Sequence, residues 1–214
     1  MTEQITSQLT SRSQQPVGGF PLGAWVRANA AGLGIAYALF ALFGGVAEEL
    51  GAAHDSIARN LAIMAGLFIG AAAFTLMRRK VLAPHVGGSP WTAVAAGASL
   101  GAGFVVGFII AGPPFDFVLG VIALGTIGGA LQWRLLKDQL PRPGRLFLAG
   151  IGAWVTAAVA AMAVVIPTGD AIDAAFGSGV TGFVAVTLVI GLVAGAVGGA
   201  IEGAALRRRI GRPA

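Results

Sequence analysis

Six long apolar stretches alternate with short polar segments along most of the chain. Each stretch is long enough to cross a hydrocarbon core of about 30 Å as a helix, which takes roughly 20 residues. Continuous runs of Ala, Leu and Gly lack the alternation that a membrane β-strand needs. We therefore predict an all-α polytopic membrane protein with about six transmembrane helices, at 22–44, 57–77, 90–111, 115–136, 144–166 and 179–206.

Residues that start helices flank these stretches. Proline is tolerated at the first helical position because its missing N–H has no partner there, and a serine before a helix caps a free N–H. The sequence places such residues at or near all six of the predicted starts: Pro21, Pro90, Pro114, Pro143, Ser56, Ser89 and Ser178.

Composition supports the membrane assignment. The 214 residues are 56% hydrophobic and 11% charged, with a mean hydropathy of +0.83, which no ordinary soluble domain shows. A pI near 11.1 in a soluble protein would suggest nucleic-acid binding. Here the bases form short clusters between apolar runs, so we expect lipids and no nucleic acid as partners. The absence of cysteine excludes disulfides and thiolate metal sites.

Charge predicts the orientation. The basic ends carry Arg12, Arg27, Arg78, Arg79, Lys80, Arg134, Lys137, Arg142, Arg145, Arg207, Arg208, Arg209 and Arg212. The opposite connections carry Glu48, Glu49, Asp55, Asp116, Asp170 and Asp173, with Arg59 the only base. Because cytoplasmic loops are enriched in Lys and Arg, we predict a bacterial inner-membrane protein with both termini in the cytoplasm.

An internal repeat suggests how the spans are organised. Residues 128–137 match residues 198–207 without gaps, and residues 69–78 form a weaker third copy. Three tandem helical hairpins are the simplest explanation. The predicted units are a polar tail at 1–20, a transmembrane domain at 21–207 with repeats near 21–84, 85–143 and 144–213, and a basic tail at 208–214.

One copy of the repeat carries a resemblance. The run Gly-Gly-Ala-x-Gln-Trp-x-x-Leu-Lys at 128–137, followed by Gly152, Ala153 and Trp154, resembles a recurrent helix end in uncharacterised multi-pass bacterial membrane proteins. It covers about a quarter of the chain, and it implies no activity and no functional residue.

Glycines at a spacing of four lie on one face of a helix. Such faces let helix backbones approach closely in lipid, as in a glycine zipper. The helix-packing candidates are Gly191, Gly195, Gly199, Gly203, Gly97, Gly101, Gly66, Gly70, Gly125 and Gly129. Alternatively, such a face receives a partner's helix or a flat cofactor, so a bound lipid, quinone or carotenoid stays open.

Polar residues inside the spans are few. Gln132 and Glu202 share one repeat position, and we predict a polar latch in which Glu202 pairs with Arg134 or Arg207. No carboxylate lies near a predicted midplane, which weighs against proton- or sodium-coupled transport. Four tryptophans lie toward the cytoplasmic ends of their helices, where we expect interface anchors: Trp25, Trp91, Trp133 and Trp154.

Candidate chemistry is scarce. Ser99 lies in a Gly-x-Ser-x-Gly pattern, but within a predicted span and without a histidine at membrane depth. His54 lies among acidic residues in an outer loop, which we interpret as a solvated loop and not as a metal site. The sequence therefore predicts no catalytic site.

These features favour a non-enzymatic accessory or scaffold subunit of a larger inner-membrane complex, with other membrane subunits as partners and an energy-transducing complex among the candidates. The alternative is a small-solute transporter, channel or substrate-binding membrane subunit. That alternative requires a polar cavity, for which the sequence offers Asn29, Tyr37, Thr126, Thr156 and Thr187. An enzyme acting on lipid is a third possibility and would need polar groups that converge at one membrane face.

Overall fold

Four long helices make up the fold in the computed structural model, which describes residues 19–53, 56–85, 144–177 and 179–210 and the two helical positions Thr126 and Ala130. The helices are α1 (Leu22–Glu49), α2 (Ile57–Leu82), α3 (Gly144–Phe176) and α4 (Val180–Ile210). Each is long and apolar enough to cross a membrane. The described part contains no strand. The chain is therefore an all-α, multi-pass membrane protein.

The prediction of about six transmembrane helices in three tandem hairpins is wrong. The structure has four membrane-length helices among its described residues. The predicted spans at 90–111 and 115–136 lie outside those residues, apart from the two helical positions Thr126 and Ala130. Tandem hairpins would also keep the main contacts between neighbours in sequence, whereas the first described helix packs extensively on the last. Hydropathy counts apolar runs, but it carries no information about which helix faces meet.

The helices continue past the apolar runs that predict them. The run that ends at residue 166 belongs to a helix that ends at Phe176, and the run that ends at residue 77 continues to Leu82. Helical hydrogen bonds do not depend on lipid. The C-terminal end of a helix carries partial negative charge, and Arg79 and Lys80 in the last turn of α2 stabilise it. The ends of the helices therefore follow hydrogen bonding and charge more than hydropathy.

Helix α1 lies between α2 and α4, and α4 also packs against α3. One apolar core joins all four helices through Leu33, Tyr37, Ala71, Phe74, Trp154, Ala157, Ala161 and Ala194. Within it, the rings of Phe74 and Trp154 meet edge to face with their centroids 6.1 Å apart. The core thus lies around α1 and the first half of α3.

The second half of α3 differs from the first. Ala153, Trp154, Ala157 and Ala161 are buried, but every position from 162 to 176 is exposed or half-exposed. Pro167 lies inside this half. At 33 residues, α3 is about 50 Å long, well beyond the hydrocarbon thickness of about 30 Å. Its C-terminal half is therefore the least enclosed helical segment of the described bundle.

Candidate functional site

Four glycines of α4 lie against the backbone or side chains of α1. A methyl group built on Gly191 would lie 2.5 Å from the carbonyl oxygen of Leu33, and one on Gly199 would lie 2.7 Å from Cβ of Asn29. Gly195 meets the carbonyl oxygen of Asn29, and Gly203 meets the indole of Trp25. Because these atoms are mostly backbone or buried rings, larger residues would push α4 away from α1.

Helix α2 uses the same device on another side of α1. A methyl group on Gly66 would lie 2.6 Å from the carbonyl oxygen of Leu39, and one on Gly70 would lie 2.5 Å from Cα of Ala36. Close backbone approach maximises dispersion contacts where lipid removes the hydrophobic drive for helix association. The other predicted packing glycines, Gly97, Gly101, Gly125 and Gly129, lie outside the described residues.

A buried ion pair connects α2 to α4 near one end of the bundle. An Nη2 hydrogen of Arg78 is donated to Oε2 of Glu202, with the two heavy atoms 2.5 Å apart. The side chains are only 10% and 6% exposed. Removing one partner of such a pair leaves an uncompensated charge, at a typical cost of about 3–5 kcal/mol. The pair is therefore a strong constraint on how α2 and α4 are placed.

Aromatic rings enclose the Arg78 guanidinium. Its central carbon lies 4.6 Å from the centroid of the Trp25 ring and 5.1 Å from that of Phe74. Arginine is attracted to aromatic faces at these distances, and more strongly where water is excluded. Three helices therefore contribute to this site: α1 gives Trp25, α2 gives Phe74 and Arg78, and α4 gives Glu202.

The indole nitrogen of Trp25 is a buried polar atom. The residue is completely buried, and its Nε1 has no hydrogen-bond partner among the described residues. Its backbone carbonyl accepts a 2.8 Å hydrogen bond from Nδ2 of Asn29. Trp25 and Trp154 were predicted as interface anchors, but the structure buries both in the bundle. Trp91 and Trp133 lie outside the described residues.

The structure gives Glu202 a partner that the sequence analysis did not name. Arg207, one of the two predicted partners, is exposed, and Arg134 and Gln132 lie outside the described residues. The repeat held the missing signal. Arg78 occupies the same position in the first copy as Arg207 in the last, so a base at the end of one copy pairs with the carboxylate of another.

Most of the side chains that the sequence offers for a polar cavity form hydrogen bonds within their own helices. Asn29 is buried against Gly195 and Gly199, and the Thr187 hydroxyl donates to the carbonyl oxygen of Phe183, 2.9 Å away in the same helix. The Thr156 hydroxyl is exposed and donates to the carbonyl oxygen of Gly152. Tyr37 is buried in the apolar core, and Thr126 is half-exposed. Asn29, Thr156 and Thr187 thus use their donors within their own helices.

The described structure adds little about the other residues that the sequence analysis considered for catalysis or metal binding. Ser99 and His54 lie outside the described residues. Glu48, in the acidic loop region, forms an ion pair with Arg59. Glu48 is exposed and Arg59 is half-buried, and their pairing ties the end of α1 to the start of α2.

The described residues thus form a closely packed bundle whose polar groups are mostly used internally. Comparison of the chain with protein families, with curated proteins and with solved structures finds no match.

Proposed function

We propose that this chain is a non-enzymatic accessory or scaffold subunit of a larger membrane-protein complex, and that it docks through α3. The observation that carries the proposal is the contrast between the halves of α3. Its first half contributes Trp154 and Ala157 to the core, while no residue from 162 to 176 is buried. The exposed half presents Met162, Val164 and Ile166, of which Ile166 is 72% exposed.

The internal use of polar groups supports a structural role over transport. The buried ion pair of Arg78 and Glu202 joins two helices of the bundle itself, and Asn29 packs against glycine backbone. A closely packed bundle in which half of one helix is unenclosed suits a subunit that holds a partner. Pro167 in that helix leaves the carbonyl of Ala163 without its usual helical donor, which a neighbouring helix can supply.

Photo-crosslinking in cells tests the docking face. A photoreactive amino acid replaces Val159, Met162 or Ile166 on α3 in the full, tagged chain, and adducts are identified by mass spectrometry after native purification. Position Ile69 on α2, which is 52% exposed, is the matched control. We expect one stoichiometric partner protein from the α3 positions and none from Ile69.

Two results would count against the proposal. In one, the α3 positions crosslink only to lipid or to other residues of this chain. In the other, the wild-type protein accumulates and purifies as a monodisperse species with no partner.

We further propose that the protein lies in a bacterial cytoplasmic membrane with both termini in the cytoplasm. The support is charge: Arg27, Lys80, Arg207 and Arg208 lie at the end where α1 begins and α2 and α4 end. A fluorescent protein fused to the C-terminus should fluoresce, and alkaline phosphatase inserted at Gly177, between α3 and α4, should be active. An active alkaline phosphatase fused to the C-terminus would show that the orientation is the opposite of the one proposed.

A further inference from the structure

Three helix ends meet at one end of the bundle. Phe20 and Trp25 from the start of α1 pack with Leu206 of α4, and Val81 and Leu82 of α2 join this cluster. The bases of these helix ends are thereby collected at one membrane face, which we call the basic end. Its exposed members are Arg27, Lys80, Arg207 and Arg208.

The described carboxylates do not neutralise these exposed bases. Glu202 is the one carboxylate that the described residues place near the basic end, and it is already paired with buried Arg78. The opposite end carries Glu48, Glu49, Asp170 and Asp173. The two faces of the described bundle therefore differ in sign.

Three of these exposed bases, Arg27, Lys80 and Arg207, each continue an exposed apolar stripe. On α1, Arg27 is followed by exposed Ala31 and Ile35 at intervals of four, which places all three on one helix face. The guanidinium of Arg27 also points back toward the start of α1, since its Nη1 lies 3.6 Å from where a methyl on Gly23 would be. A cation near the start of α1 thus continues an apolar track along the same helix face.

Helices α2 and α4 repeat this arrangement. Exposed Ile69 and Leu76 lead along α2 to exposed Lys80, at spacings of seven and four. Exposed Leu192 and Ala200 lead along α4 to exposed Arg207, at spacings of eight and seven. These spacings keep each set on one face of its helix.

We propose that the basic end binds anionic phospholipids, with the phosphate at Arg27, Lys80 or Arg207 and the acyl chains along the apolar stripe below that base. The cation alone would suit any phosphate, but the apolar track suits only a ligand with hydrocarbon attached. Near a membrane surface each Lys or Arg contributes roughly a fivefold gain in affinity for anionic lipid. The acidic opposite end should not retain such lipids.

Native mass spectrometry of the full, purified chain tests this proposal. The protein is equilibrated with phosphatidylglycerol and phosphatidylcholine of identical acyl chains, and the lipids retained on it are counted. We expect preferential retention of phosphatidylglycerol by the wild type. In R27Q/K80Q/R207Q its apparent affinity should fall by at least about tenfold, since three cations are lost.

Two controls isolate the site. R59Q removes one positive charge at the opposite end and should retain phosphatidylglycerol as the wild type does, unlike the single variant R27Q. Thermal unfolding by circular dichroism verifies that each variant is folded. Inorganic phosphate at equal ionic strength should not displace the lipid.

Three results would overturn the proposal. These are equal retention of the two lipids by the wild type, unchanged retention by the folded triple variant, and displacement by inorganic phosphate. The last result would identify a free-anion site in place of a lipid site.

Discussion

Arg78 and Glu202 are 124 positions apart in the chain, yet their side chains meet at 2.5 Å between two helices that each pack on α1. The Trp25 ring of α1 lies beside the same guanidinium, 4.6 Å from its central carbon. One buried arginine therefore touches all three helices.

Neutralising both members of the pair should cost less than the sum of the costs of neutralising each one. R78Q or E202Q alone leaves a buried charge and should lower the free energy of unfolding by about 3–5 kcal/mol. In R78Q/E202Q no charge remains unpaired, so the loss should be clearly smaller than the sum of the single losses. Titration with a denaturing detergent in mixed micelles measures this free energy of unfolding. E49Q, at the exposed end of α1, is the control. Additive losses would show that the two groups are not coupled.

Replacing Arg78 by lysine should separate charge from stacking. R78K keeps a positive charge for Glu202, but an ammonium group lacks the planar surface that lies against Trp25 and Phe74. We expect a loss of about 1–2 kcal/mol in the free energy of unfolding, from the weakened cation–π contacts. Unfolding in the same micelles measures it. Stability equal to that of R78Q would mean that the charge contributes nothing in this position.

Two glycines in different surroundings should respond oppositely to alanine. A methyl on Gly195 would collide with the backbone of Asn29 and Ala30, while one on Gly152 has no atom within 4 Å. Overpacking should cost G195A about 1–3 kcal/mol of unfolding free energy. G152A should be neutral or gain up to about 1 kcal/mol from helix propensity. Thermal unfolding of both variants measures the difference, and equal effects would contradict the close approach of α4 to α1.

Much of the fold could be predicted because lipid restricts the choice of structure. Backbone groups in a membrane must be satisfied within the chain, so long apolar runs without alternation become helices. The spans near 22–44 and 57–77 correspond to α1 and α2 on this basis. The arrangement could not be predicted in the same way. The packing of α4 on α1 depends on which glycine face meets which backbone. Hydropathy does not identify the helix that a glycine face packs against.

Only part of the ion-pair site was predicted from the sequence. Glu202 stands out as an acid within an apolar run, so a polar contact for it could be predicted. Its partner was missed because Arg78 was counted among the loop bases that set orientation, although the repeat places Arg78 at the position of Arg207. Trp25 was misjudged too. A tryptophan near a helix end looks the same in sequence whether its ring faces the interface or, as here, stacks on a buried arginine.

Replacing Pro167 should tighten the exposed half of α3. Proline has no N–H, so the carbonyl of Ala163 lacks its helical donor, and proline inside a helix costs about 3 kcal/mol relative to alanine. P167A supplies that donor. Hydrogen exchange followed by mass spectrometry should show slower exchange at residues 168–174 and no change around Trp154. G152A, a substitution in the packed half of the same helix, is the control and should leave exchange at residues 168–174 as in the wild type. Unchanged exchange in P167A would mean that the exposed half of α3 is held by contacts stronger than its own hydrogen bonds.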